Sequence, residues 1–334
     1  MQEHESNILQ QYDIEIRSTR KTRSAVLCDT EQGLYLLKEV RAQPERIRAL
    51  GELYDYLESQ TWCKVDGIIK NRDGTYISEV ENGTKYILKK WYSGRECDVK
   101  KPGEVLEAVG MLAKLHLVMQ KKLENPVSNA ETIEQQYSKH NRELKKVRGY
   151  IRKTTPKSEF ELEFLRCFDE MYWWAQTAVQ MLHESKYKQL YQESIEKNCL
   201  THGEYNYHNV LMNDSENRGT IVAVTNFEKF KQDIQVEDFY YLLRKVMEKY
   251  GWKERFGDSI INAYSAVKPL TEQEIEYVKI RLAYPEKFWK TANTYYHSNK
   301  AWMPVKNIEK LGVAVRQTKE KERFLENLFG TDIY

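Results

Sequence analysis

The chain has 334 residues, enough for two lobes and a sizeable core, and its 52 basic and 50 acidic residues nearly cancel. This balance provides no general attraction for nucleic acid or for an anionic membrane, and we expect neither as a partner. The first six residues lack the basic and apolar parts of a signal peptide, and no apolar run reaches the length of a membrane span, so we expect synthesis in the cytoplasm.

The N-terminal residues up to 93 carry the pattern of a small antiparallel sheet with one helix. Short alternating or apolar segments bounded by turns predict about five strands, within residues 12–17, 25–28, 34–40, 65–70, 75–80 and 85–90. Apolar residues at helical spacing predict a helix from Pro44 to Gln60. Residues 17–24, where a loop covering a phosphate is expected, contain four basic residues and no glycine.

From Val105 onward the pattern is mainly helical. Dense apolar stripes predict helices from Val105 to Leu117 and from Glu159 to Leu182. The segment from Lys139 to Lys157 is strongly basic and could bind an anionic partner, but such charges more often cover a solvated helix face. We therefore favour the solvated face over nucleic-acid binding.

The residues most suited to form an active site lie between positions 200 and 228. Two short apolar runs, 209–212 and 220–224, flank a segment of turn-forming residues and predict a β-hairpin. An antiparallel hairpin returns the chain to where it began. The polar loop from His202 to Asn209 and the segment from Asn226 to Glu228 are therefore expected to share one pocket.

This spacing resembles the active-site signature of the aminoglycoside phosphotransferase and choline kinase-like branch of the protein-kinase-like fold. That signature is His-Gly-Asp, four residues, Asn, and then a hairpin that ends in Asp-Phe-Asp/Glu. The resemblance implies an α+β, bilobal fold, with a small antiparallel-sheet lobe over residues 1–93 and a larger, mainly helical lobe over residues 94–334. It also implies ATP and Mg²⁺ as candidate cofactors.

The resemblance assigns a role to each matching position. Glu204 stands where an aspartate acts on the acceptor hydroxyl, and Asn209 where an asparagine binds a metal ion. Asn226 stands at the aspartate that holds Mg²⁺, and Glu228 is a second candidate ligand. The other assignments are Lys38 for the nucleotide phosphates, Glu52 as its ion-pair partner with Glu45 and Glu58 as competitors, Tyr92 at the hinge facing an adenine, and His202 and Asp238 as structural supports.

Two of these positions depart from the family pattern, and both bear on catalysis. The extra methylene of Glu204 moves its carboxylate by about a bond length, and displacements near 1 Å can cost on the order of 100-fold in rate. Asn226 is neutral where Mg²⁺ normally finds a carboxylate. We therefore predict weak or absent phosphotransfer. The alternative is an active ATP- and Mg²⁺-dependent phosphotransferase of small molecules, in which Glu228 replaces the missing carboxylate.

The C-terminal segment resembles one particular family within this fold. Residues 283–290, 295–296, 300–302, 310–311 and 323–325 resemble the C-terminal signature of the CotS-type spore coat proteins, a kinase-like family. This implies association with the forming spore coat and other coat proteins as partners. Without that resemblance, Phe288, Trp289, Tyr295, Tyr296 and Trp302 predict an aromatic-rich segment that closes a helical lobe.

Overall fold

The computed structural model describes residues 3–22, 25–213, 220–298 and 305–330. The chain forms two compact units, one of residues 1–129 and 197–238 and the other of residues 130–196 and 239–334. The sequence-based boundary after residue 93 does not coincide with this division, because the segment that follows it adds a strand to the 200–228 hairpin. Within the described ranges, no helix is both long enough and apolar enough to cross a membrane.

An antiparallel sheet forms the N-terminal part of the first unit, as predicted. Its strands are β1 Ile16–Lys21, β2 Val26–Thr30, β3 Gly33–Val40, β4 Ile68–Ile69, β5 Ser78–Glu79 and β6 Lys85–Trp91. Their order is β1-β2-β3-β6-β4, with β5 also paired to β6. The predicted loop at 17–24 is largely wrong, since β1 occupies most of it. This edge strand is polar and mostly exposed, so it carries no alternating apolar signal.

The same N-terminal region also contains two helices. They are α1, Glu3–Leu9, and α2, Pro44–Ser59, which confirms the predicted helix from Pro44 to Gln60 almost to the residue. Proline at the start of α2 suits the helix, because the first turn has no partner for a backbone N–H. A core cluster joins Ile8 and Leu9 of α1 to Leu37 and Leu88 of the sheet.

The rest of the first unit builds the predicted hairpin and its supports. The remaining elements are β7 Arg95–Glu96, α3 Pro102–Val118, β8 Leu200–Thr201, β9 Val210–Met212, β10 Ile221–Val224 and β11 Lys231–Gln232. β9 and β10 pair antiparallel, which confirms the hairpin, and β7 pairs with the other edge of β9. The turn residues 214–219 lie outside the described part of the chain. One-turn 3₁₀ helices at Tyr207–Asn209 and Phe227–Lys229 overlap the ends of the two polar segments.

In its described residues the second unit is helical. Its helices are α4 Ile133–Lys153, α5 Glu159–Glu184, α6 Tyr187–Glu196, α7 Val236–Tyr250, which begins in the first unit, α8 Glu254–Ser265, α9 Glu272–Ala283, α10 Glu286–His297, α11 Val305–Arg316 and α12 Thr318–Phe329. The chain is thus mixed α+β, with an antiparallel-sheet N-terminal lobe and a larger helical portion, as predicted.

Local sequence explains where the long helices begin and which faces they bury. Ser158 and Glu161 form a reciprocal capping box at the start of α5. The buried face of α4 is apolar, and its basic residues Lys139, Arg142, Lys145 and Lys146 are exposed. This arrangement fits the solvated face that we favoured.

The C-terminal aromatic residues pack within this unit. The rings of Phe288 and Phe164 stack with their centroids 5.2 Å apart, and Tyr295 stacks on Phe160 at 4.7 Å. Trp302, the last residue of the predicted aromatic segment, lies outside the described residues.

Candidate functional site

The loop after β8 is held in place by one buried carboxylate. Asp238, at the start of α7, accepts hydrogen bonds from the backbone N–H of His202 at 2.6 Å and of Gly203 at 2.9 Å. The His116 Nε2 atom lies 3.3 Å from the same carboxylate. Burial acts to raise the pKa of Asp238, but these hydrogen bonds and the nearby imidazoles lower it overall. Asp238 therefore lies where the resemblance predicts a loop support.

His202 is fully buried and hydrogen-bonded at both ring nitrogens. Its Nε2 lies 2.9 Å from the carbonyl oxygen of Thr225, and its Nδ1 accepts the backbone N–H of Glu204 at 3.2 Å. The ring is therefore the neutral tautomer that carries its proton on Nε2. Burial lowers the pKa of His202, which keeps the ring uncharged. The Nε2 contact joins the loop to the end of β10, and the Nδ1 contact holds the loop itself, so both are structural.

The two asparagines at the candidate metal positions bind each other. Asn226 Nδ2 donates to Asn209 Oδ1 at 2.7 Å, and Asn209 Nδ2 donates to the carbonyl oxygen of Glu204 at 2.9 Å. Asn226 has a φ of 67°, in the left-handed region that Asn and Asp tolerate better than most residues. The hairpin therefore brings the two polar segments together, and one hydrogen bond joins the two side-chain amides.

Glu204 lies at the edge of this cluster and faces solvent. Its Oε1 forms an ion pair with Lys229 Nζ at 3.0 Å, and 36% of the Glu204 side chain is exposed. The backbone of Glu204 therefore contacts Asn209, whereas its carboxylate is paired with a lysine that follows the hairpin.

A chain of four charges fills the space between the sheet and the end of the hairpin. Glu228 Oε1 lies 3.0 Å from Lys38 Nζ and 2.7 Å from Lys89 Nζ, and Lys89 Nζ lies 2.5 Å from Asp66. Lys89 and Asp66 are essentially inaccessible to solvent. Burial acts to raise the pKa of Glu228, but Lys89 and Lys38 together lower it to about 2. The two lysines and two carboxylates thus neutralise each other.

This charge chain is tied to the hairpin by further hydrogen bonds. The Tyr54 hydroxyl donates to Asp66 at 2.7 Å, and the backbone N–H of Asn226 donates to the other oxygen of Asp66 at 3.0 Å. The backbone N–H of Phe227 donates to the Tyr54 hydroxyl at 3.3 Å. Every oxygen of Asp66 therefore has a partner, as a buried carboxylate requires.

The predicted ion pair between Lys38 and Glu52 is corrected by this geometry. The Glu52 carboxylate accepts the backbone N–H groups of Glu124 at 2.6 Å and Asn125 at 3.0 Å. The competing candidates are also engaged elsewhere, Glu45 with Arg48 and Glu58 with Lys90. Sequence spacing on α2 could not show that the glutamate reaching Lys38 comes from the hairpin, 190 residues away.

Tyr92 follows the last residue of β6, at the predicted hinge. Its side chain is half-buried, and its hydroxyl donates to the carbonyl oxygen of Val65 at 3.1 Å. The hydroxyl therefore contacts the neighbouring chain segment, and the contact of the hinge backbone with an adenine stays a prediction.

Sequence reasoning missed Lys89 and Asp66. Lys89 stands beside a second lysine, Lys90, in β6, and Asp66 lies between Val65 and Gly67. The one available signal was a lysine directly after the apolar pair Ile87 and Leu88, a position that would be buried if the strand is central.

The donor set at the predicted metal positions does not fit Mg²⁺ as it is arranged. Mg²⁺ is usually bound through one or two carboxylates together with substrate phosphates. Here Asn209 and Asn226 are neutral and hydrogen-bonded to each other, and the Glu228 carboxylate is offset by two ammonium groups. Among the described residues, no three His, Cys, Asp or Glu side chains are grouped to hold a metal ion.

Solved structures of phosphotransferases resemble nearly the whole chain. An aminoglycoside phosphotransferase from Alicyclobacillus acidocaldarius subsp. acidocaldarius DSM 446 matches with a TM-score of 0.82 at 16% identity, covering 97% of this chain and 95% of that one. The AMP-bound complex of spectinomycin phosphotransferase APH(9)-Ia matches with a TM-score of 0.64 at 13% identity, covering 98% of both chains. At these identities the likeness shows the fold alone, and it confirms the predicted kinase-like fold.

Sequence comparisons identify the family within this fold. The chain is 25% identical over 341 residues to Spore coat protein S of Bacillus subtilis (strain 168), spanning 98% of this chain and 95% of that protein. A family model described as "Spore coat putative kinase YutH" matches residues 5–328. These matches confirm the predicted resemblance to kinase-like spore coat proteins. The chain therefore belongs to the spore coat kinase family that the YutH model describes.

Proposed function

We propose that this protein is a spore coat-associated protein with a kinase fold and weak or absent phosphotransferase activity. Coat association, with other coat proteins as partners, is supported by the family membership. The low activity is supported by one observation above the others: the Glu228 carboxylate is held by both Lys38 and Lys89.

This observation weighs against catalysis because the Glu228 carboxylate is already shared between two lysines. For Glu228 to bind a metal ion, its carboxylate must turn away from at least one of them. Breaking Glu228 away from Lys89 would also leave a buried ammonium with Asp66 as its remaining partner. Giving up this buried contact costs free energy, and the binding of a nucleotide would have to supply it.

A nucleotide-binding role is retained at low affinity. Lys38 is about one-third exposed, so a phosphate can approach it from solvent. The AMP-bound spectinomycin phosphotransferase shares this fold, which supports ATP as a candidate ligand here. Because the Mg²⁺ ligands are compromised, Mg²⁺ should add little to the affinity.

The alternative is an active ATP- and Mg²⁺-dependent phosphotransferase of small molecules. It is favoured by the aminoglycoside phosphotransferase match over nearly the whole chain. It also requires that Glu228 release both lysines and take the place of the carboxylate missing at Asn226.

Calorimetric titration with ATP separates the two functions. We expect a dissociation constant on the order of 1 mM or weaker, with little change when Mg²⁺ is added, because Glu228 is already neutralised. Lys38→Ala should weaken any binding that is seen. The matched control is Lys70→Ala, since Lys70 is an exposed lysine of the same unit that pairs with Asp55. Micromolar binding that needs Mg²⁺ and is lost in Lys38→Ala would favour the active enzyme.

A second prediction concerns the two departures from the family pattern. The double change Glu204→Asp and Asn226→Asp should raise the release of ADP from ATP by at least about tenfold over the wild type, because it restores both missing aspartates. Aspartate tolerates the left-handed backbone at position 226, so the fold should be kept.

The matched control for this double change is Asn213→Asp, at the hairpin outside the site, which should have no effect. Background turnover by a folded double variant would contradict the prediction and place the defect at the Lys89 pair.

A further inference from the structure

The second unit contains a cavity of about 250 Å³ lined mostly by basic side chains. The basic residues come from three helices: Arg244 and Lys245 from α7, Lys287 and Lys290 from α10, and Lys310 from α11. One acidic residue, Glu248, also lines it. We refer to this space as the basic cavity.

The charge of the basic cavity is unusual for this chain. Five basic residues face one acidic residue there, whereas the whole chain has 52 basic and 50 acidic residues. The local excess is therefore larger than the net charge of the entire protein. Concentrating like charges in one place costs free energy unless a counter-charge is near, so chance placement of surface lysines is a poor explanation.

Some of these charges have partners in the protein. Arg244 donates to Glu248 at 2.6 Å, and Lys290 pairs with Glu286 at 3.1 Å. Lys245 lies 5.5 Å from the ring centroid of Tyr241. These contacts fix the geometry of the α7 and α10 walls, so the cavity is lined by positioned side chains.

Two lysines that line the basic cavity are not used in ion pairs with the described residues. Among the described residues, neither Lys287 nor Lys310 forms an ion pair, and Lys287 is half-buried. Burial lowers the pKa of Lys287, and the neighbouring charges of Lys249, Arg244 and Lys310 add to that effect although Glu248 opposes it. Arg244 is only 5% exposed, and its Nε hydrogen-bonds no atom of the described residues.

We propose that the basic cavity binds a small polyanion of the phosphate class. Arginine and lysine, which line the cavity from three helices, are the usual donors to phosphate oxygens. This site involves neither Lys38 nor the hairpin.

Pyrophosphate is the probe that tests this proposal. At constant ionic strength, calorimetry on the full chain is expected to show one site with a submillimolar dissociation constant. The double change Lys287→Gln and Lys310→Gln should weaken binding by at least about tenfold, which corresponds to about 1.4 kcal/mol. Lys310→Gln alone, at an exposed residue that the fold does not need, should weaken it by about threefold.

Three controls make the result decisive. Lys319→Gln removes an exposed lysine of α12 outside the basic cavity and should leave the affinity within twofold of the wild type. Lys38→Ala should also leave it unchanged, which separates this site from the nucleotide site. Citrate should bind more weakly than pyrophosphate, because the donors are assigned to phosphate oxygens.

The proposal would be overturned by any of three results. These are no pyrophosphate binding at millimolar concentration, equal binding by wild type and the folded double variant, or loss of binding in Lys38→Ala. Citrate binding as tight as pyrophosphate would overturn the phosphate assignment. Thermal unfolding of each variant establishes that it is folded, and we expect the double variant to be at least as stable as the wild type because it relieves repulsion.

Discussion

Replacing Lys89 by methionine is expected to lower the free energy of unfolding by about 3–5 kcal/mol. Methionine fills a similar volume but removes the ammonium group that contacts Asp66 at 2.5 Å and Glu228 at 2.7 Å. Asp66 would remain fully buried with no cation beside it. Urea-induced unfolding, followed by circular dichroism and tryptophan fluorescence, measures the loss.

The neighbouring lysine provides the control. Lys90→Met removes a partly exposed ion pair with Glu58 and should cost less than about 1 kcal/mol. Adding Asp66→Asn to Lys89→Met should recover part of the stability, because the unpaired buried charge is then gone. If Lys89→Met proved as mild as Lys90→Met, the four charges would not be acting as a buried network.

The change Gly203→Ala is expected to cost more than about 3 kcal/mol or to prevent folding of the first unit. Gly203 has a φ of 82°, and a Cβ atom built on it would lie only 2.0 Å from the carbonyl oxygen of Lys229. That oxygen belongs to the backbone and cannot rotate away. The loop would have to shift, and the hydrogen bond from Gly203 N–H to Asp238 would be strained with it.

Gly110→Ala is the matched control for this prediction. Gly110 lies inside α3, and a Cβ atom there would meet nothing within 4 Å. Alanine should therefore stabilise the helix by about 0.5–1 kcal/mol. The melting temperatures of the two variants should move in opposite directions, and a Gly203→Ala protein that melts with the wild type would contradict the close approach.

Much of the fold could be predicted because it depends on local periodicity. The spacing of apolar residues located α2 and α5 closely, and turn-forming residues marked the hairpin of β9 and β10. The edge strand β1 was misplaced because its residues are polar and exposed. A strand that buries few side chains lacks the alternation of apolar and polar residues by which strands are predicted.

Only the site residues that lie close together in the sequence could be predicted to meet. The positions of His202, Asn209 and Asn226 followed from the hairpin, which brings nearby residues together. The partner of Lys38 did not, because Glu228 reaches it from the far side of the sequence. Lys89 and Asp66 carry no sequence motif, and their role depends on tertiary contacts that only the folded chain defines.

The four-charge chain also affects the stability of the first unit. Ligand sites usually hold uncompensated charge, so they reduce stability until the ligand arrives. Here Lys38, Glu228, Lys89 and Asp66 sum to zero and satisfy one another. The four charges therefore add no net charge that would attract an anionic nucleotide. The residues that would hold a nucleotide thus also stabilise the unit that carries them.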